Sequence, residues 1–168
     1  MLRHLKTWLY TGLILLCGTL ATAQGSSDLG FTAARSAAYL VGDAAAKVAI
    51  AAMEKDCRFE DEPPHKRQPG FKKAVALGHE NWAFIISGEK LACNHSSMCG
   101  TGGCQLSIIA VIEGVAKPVF ARQVREWKLI NKAHAQPYLQ LDLHGGNCGK
   151  TGAEACPKKL NLSTGEFI

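Results

Sequence analysis

Tyr138-Leu-Gln-Leu-Asp-Leu-His144 is the stretch that decides the fold. Leu139, Leu141 and Leu143 alternate with Gln140, Asp142 and His144, a period of two that builds a strand with one buried and one wet face. A turn cluster, Gly145-Gly146-Asn147, follows directly. Further short runs of apolar or alternating residues lie on either side: Ala74–Leu77, Trp82–Ser87, Gln105–Glu113, Pro118–Arg122 and Glu126–Ile130 before it, and Lys159–Leu162 after it. Glycine, asparagine or proline punctuates nearly every gap, as antiparallel hairpins require.

The chain before Phe71 has a different character. Glu60 to Gly70 is charged and proline-rich, and reads as a loop. Leu29 to Lys55 is alanine-rich and proline-free, with Ser27 and Asp28 suited to a helix N-cap and Asp43 and Lys47 spaced as a helical ion pair. This segment predicts one long helix, with Gly42 as the place for a break. Its expected apolar positions are Leu29, Ala33, Leu40, Val41, Val48 and Met53. The predicted fold class is α+β, an N-terminal helix followed by an antiparallel β-sheet with disulfide-closed loops.

The first residues form an export signal. Arg3 and Lys6 precede an uncharged apolar run, Thr7 to Leu20, that ends at Ala21-Thr22-Ala23. A basic start, a short apolar core and a small-x-small exit make a cleavable secretory signal peptide. The apolar run is shorter than the roughly 20 residues of a membrane-spanning helix, so no stable membrane insertion is expected. The expected organisation is a signal peptide over 1–23, an alanine-rich helical segment over 24–56 and a disulfide-stabilised β domain over 57–168. The formal net charge is +5, part of which leaves with the signal, and the remaining basic residues are scattered without aromatic interleaving. No nucleic-acid partner is expected.

Cys17 leaves with the signal. Cys57, Cys93, Cys99, Cys104, Cys148 and Cys156 remain, an even set in an exported chain and hence a disulfide framework. Cys99-Gly-Thr-Gly-Gly-Cys104 has the backbone freedom for a tight return, and Cys148 to Cys156 is a second short loop closed at its own ends. Cys57 and Cys93 are then left for each other.

Both cysteine motifs, together with His144-Gly-Gly-Asn-Cys148-Gly-Lys-Thr-Gly-Ala-Glu-Ala-Cys156 and the closing Gly165-Glu-Phe167, resemble a group of small exported proteobacterial proteins. The likeness runs from about Cys57 to Phe167. It implies export and a disulfide-closed fold, and no activity. In many such proteins the segment before the first glycine-cysteine motif resembles an FG-GAP-like calcium loop. Here the matching stretch, Ala76 to Trp82, offers only Glu80 and Asn81 as side-chain oxygens, where calcium takes six to eight oxygen ligands. No metal and no cofactor are expected.

Cys93, His95, Cys99 and Cys104 have zinc-ligand chemistry, but their spacing is not that of a zinc knuckle, and disulfides are the default in an oxidising compartment. Thiol redox work favours Cys-x-x-Cys, which the chain lacks. Asp142 and His144 share a strand face and are the candidate acid-base pair for a periplasmic hydrolase, against the reading of a polar strand edge beside the Gly145-Gly146 turn. The preferred reading is a non-enzymatic, periplasmic or secreted protein that binds an envelope protein or small ligand. Trp82, His95, Thr101, Gly102, Gly103 and His144 are the candidate contact residues. A module offered to an enzyme cleft, as exported lysozyme inhibitors are, is one concrete form of it by analogy.

Overall fold

A computed structural model describes residues 26–57, 66–92 and 98–168, with side chains of the first segment described from Ala37 onward. The expected signal peptide, most of the proline-rich loop, Cys93 and His95 lie outside the described residues. The chain is α+β. Among the described residues, helix α1 (Ser26–Asp56) is followed by ten strands: β1 (Lys66–Arg67), β2 (Lys72–Gly78), β3 (Asn81–Ser87), β4 (Leu91–Ala92), β5 (Cys99–Gly100), β6 (Gly103–Ile112), β7 (Val115–Val124), β8 (Glu126–Ile130), β9 (Tyr138–His144) and β10 (Ala155–Asn161).

The strands form two main antiparallel sheets. In the first, β2, β3, β6 and β7 are paired in sequence, with the short β5 on the end of β6. The second is β8-β9-β10, and β1 pairs with β4 separately. Every strand run expected from the sequence lies in one of these ladders. The chain passes from the first sheet to the second through a single residue, Arg125, whose N–H donates to the Asp142 carbonyl at 2.8 Å.

Asn81–Ser87 explains the layering. From Trp82 onward every residue of β3 is buried, as in a strand covered on both faces. Trp82, Phe84 and Ile86 pack towards α1 with Ile109 and Val111 of β6. Ala83 and Ile85 point the other way and join Leu106, Ile108, Leu139, Leu141, Leu143 and Leu160 between the two sheets. The molecule is therefore a helix on a sheet on a second sheet, and the Leu139-Leu141-Leu143 alternation supplies the inner face of the third layer.

The helix runs unbroken through Gly42, and of the expected apolar positions whose side chains are described, Met53 is buried and Leu40, Val41 and Val48 are not. Ala38, Ala46, Ile50 and Met53 are buried, whereas Leu40, Val41 and Val48 are 62%, 42% and 73% exposed. Close approach is the physical reason. A Cβ on Gly42 would sit 2.1 Å from Phe84 Cε2, so the aromatic sheet surface reaches the helix backbone and only small residues fit between them. A glycine in mid-helix costs up to about 1 kcal/mol, which burial of the Phe84 ring offsets. The Asp43 and Lys47 pair forms at 3.0 Å, and Lys72 of β2 joins the same carboxylate. These two lysines, Lys72 foremost, hold the Asp43 carboxyl below its ordinary range. At the far end, Arg67 grips Glu54 with two nitrogens at 2.7 and 3.0 Å and fastens β1 to the helix.

Two disulfides are formed as the spacing suggested, Cys99–Cys104 and Cys148–Cys156. Cys57, directly after the last helical residue, is also disulfide-bonded and buried. The expected Cys57–Cys93 pairing falls on Cys93, outside the described residues. Among the described residues, no helix is long and apolar enough to cross a membrane.

Candidate functional site

The Cys99–Cys104 hairpin and the turn that leads into the Cys148–Cys156 loop lie on either side of one cleft. Cys99–Cys104 closes the β5–β6 hairpin, where Gly100 pairs with Gly103 and Thr101-Gly102 forms the turn. Gly103 holds a left-handed φ of 101°, and a Cβ there would fall 1.9 Å from the Val124 carbonyl oxygen. That contact presses the hairpin onto the end of β7. On the other side, β9 ends at His144 and runs into a 3-10 turn, Gly145–Cys148. Thr101, Gly102, Arg122, Gln123, His144 and Asn147 line one open cleft of about 540 Å³.

His144 is oriented by its surroundings. Its Nδ1 accepts the Gly146 N–H at 3.3 Å, which leaves the proton of the neutral ring on Nε2. A Cβ on Gly152 would lie 2.4 Å from that Nε2, so glycine at 152 leaves room for the imidazole in this position. The Asn147 side-chain amide donates to the His144 carbonyl at 3.1 Å. The loop behind is fixed by Arg125, whose guanidinium donates to the Ala153 and Glu154 carbonyls at 3.0 and 3.3 Å. Glu154 in turn takes the Thr151 hydroxyl at 2.8 Å and the Thr151 N–H at 3.3 Å. The hydroxyl bond foremost holds the Glu154 carboxyl below its usual value.

The sequence-selected residues thus divide. Thr101, Gly102 and His144 line the cleft, and Gly103 braces it from behind. Trp82 is elsewhere, only 6% exposed, edge-on to Tyr39 of the helix at 5.4 Å. Its ring is core because β3 is covered on both faces. His95 lies outside the described residues. Asp142 shares the strand face of His144 but not its cleft: it accepts the Cys156 N–H at 2.9 Å and faces a separate depression with Trp127 and Pro157. The structure therefore gives Asp142 a backbone partner and His144 a different one, and does not join them as a dyad.

The calcium-like stretch is a tight hairpin. His79 and Glu80 both take positive φ, 48° and 62°, between the paired residues Gly78 and Asn81, the conformation of a two-residue type I′ turn. The Asn81 side-chain oxygen accepts the Glu113 N–H at 3.0 Å and ties this turn to the neighbouring one. Among the described residues no cluster of three or more His, Cys, Asp or Glu is arranged to hold a metal ion.

Arg122, Gln123 and Asn147 are the cleft residues that sequence reasoning missed. Asn147 had a signal, its place between Gly146 and Cys148. Arg122 and Gln123 had none, because they end an ordinary alternating strand and enter the cleft only through β7's position beside the hairpin. No family model, no curated protein and no solved structure matches the chain.

Proposed function

We propose that the chain is an exported, non-enzymatic binding protein, periplasmic or secreted, that holds a small ligand or the surface of an envelope protein between its Cys99–Cys104 hairpin and the turn that leads into the Cys148–Cys156 loop. The observation that supports this is convergence. The turn inside the first disulfide ring, the end of β7 and the segment running into the second ring line one cleft, although the two disulfide-anchored segments are more than forty positions apart in sequence. Loops held in place before contact lose less entropy on binding, so braced loops suit recognition. The disulfides fit an oxidising compartment, as does the export signal read from residues 1–23. An enzyme-inhibitor-like mode, with the loops offered to a partner's cleft, is one form of this function.

Two measurements test the reading. N-terminal sequencing of the envelope fraction should give a chain starting at or near Gln24; an intact Met1 chain in the cytoplasm overturns export. Capture of a partner from envelope extract by the oxidised protein should be lost in Gly152→Val, because the new side chain displaces the His144 ring. Undiminished capture by that variant, folded and oxidised, removes the cleft from the function.

A further inference from the structure

The lining of the cleft names a ligand chemistry. Arg122 presents a guanidinium, and among the described residues it has no carboxylate partner. His144 forms a wall of the cleft, its ring held between Gly146, which donates to Nδ1, and Gly152, which lies against Nε2. Thr101 adds a hydroxyl, and the Gln123 and Asn147 carboxamides add both donors and acceptors. None of the lining residues is acidic. The nearest carboxylates of the second loop and of β9 are turned to other work, Glu154 to Thr151 and Asp142 to the Cys156 N–H. An unpaired guanidinium binds an anion more strongly than a neutral acceptor. An oxyanion takes it in fork geometry and accepts from the hydroxyl beside it.

We infer that the cleft between the Cys99–Cys104 hairpin and the His144–Asn147 segment is a binding site for an oxyanion, a phosphate or carboxylate group carried by a small polar molecule. This rests on the proposed binding function and specifies its ligand class. Arg122 is the charge anchor, Thr101 is a hydroxyl donor beside it, and Gln123 and Asn147 contact the hydroxyl or amide groups of the ligand body. A volume of about 540 Å³ leaves space for such a body beside the anion.

The test is titration of the oxidised protein, followed by amide NMR, with inorganic phosphate, with acetate and with uncharged glucose. Phosphate, acetate or both should shift the signals of Thr101, Gly102 and Gln123, and the stronger of the two identifies the anion class. Arg122→Gln should weaken that binding roughly tenfold, the range of a lost charge-assisted hydrogen bond, and Arg122→Lys should restore part of it by keeping the charge without the fork. Lys117→Gln, which removes the same charge from the same strand away from the cleft, should leave binding unchanged. Equal losses in Arg122→Gln and Lys117→Gln mean diffuse attraction and overturn the site. Shifts with glucose but with neither anion overturn the ligand class while leaving the cleft a binding site. Anion binding together with undiminished partner capture by Gly152→Val upholds this inference and defeats the cleft as the partner's docking place.

Discussion

The two disulfide-closed loops solve the same problem by different means. Between Cys99 and Cys104 the chain makes a two-residue hairpin turn, and the cysteines are themselves opposite residues of the ladder, 3.9 Å apart at Cα. Between Cys148 and Cys156 the backbone is largely irregular. It is held by Arg125 on two carbonyls, by Lys150 on the Ala155 carbonyl at 3.2 Å and by the Thr151–Glu154 pair. Cys156 is fully buried between the sheets, whereas Cys99 and Cys104 are half-buried. One bridge staples backbone pairing that already exists. The other anchors a polar loop to the core, and side-chain bonds complete what sheet pairing leaves open.

That difference sets the order of expected effects. Cys156→Ser should cost most, about 3 kcal/mol from the opened loop and more from the hydroxyl placed among Leu139, Leu141 and Leu143. Denaturant unfolding measures it, and a cost below that of the first loop breaks the comparison. Cys99→Ser should cost about 2 kcal/mol and mainly loosen the Thr101-Gly102 turn, which amide exchange reports. Arg125→Met should come next, at about 1 kcal/mol for its carbonyl bonds. It should raise amide exchange at Lys150 and Glu154 and leave Gly102 as it was. Acidification should have the smallest effect and touch one loop alone. Because the Glu154 carboxyl is held below its usual value, its contribution is complete above the ordinary carboxylate range and is lost as pH falls through the lowered value. The Thr151 amide signal should move over that interval in native protein and stay fixed in Glu154→Gln. The Thr101-Gly102 turn holds no acidic group and should not follow.

Much of this was legible in the sequence because its causes are local. The alternation in Tyr138–His144, the turn residues between runs and the short cysteine spacings all act within a few residues, and the strands and both short bridges follow from them. That Thr101, Gly102 and His144 are loop residues was legible for the same reason, and all three line the cleft, since each lies in or beside a glycine-rich loop. The buried face of the helix was not legible. Leu40, Val41 and Val48 outrank alanine on any hydrophobic scale, yet they face outward, because the choice of face belongs to what the helix meets. Phe84 against Gly42 makes that choice, and these residues are remote in sequence.

The sequence by itself determined the α+β order of elements, the antiparallel strands and the two short disulfide loops, since backbone period, turn chemistry and ring closure are properties of neighbouring residues. Tertiary structure alone decided that the strands divide into two stacked sheets, that Trp82 is core, and that Asp142 and His144 serve different partners. It also decided that Arg122 lines a cleft with Thr101 and His144. Those outcomes depend on which faces are covered and which strand ends coincide, and both are set by packing between segments far apart in the chain.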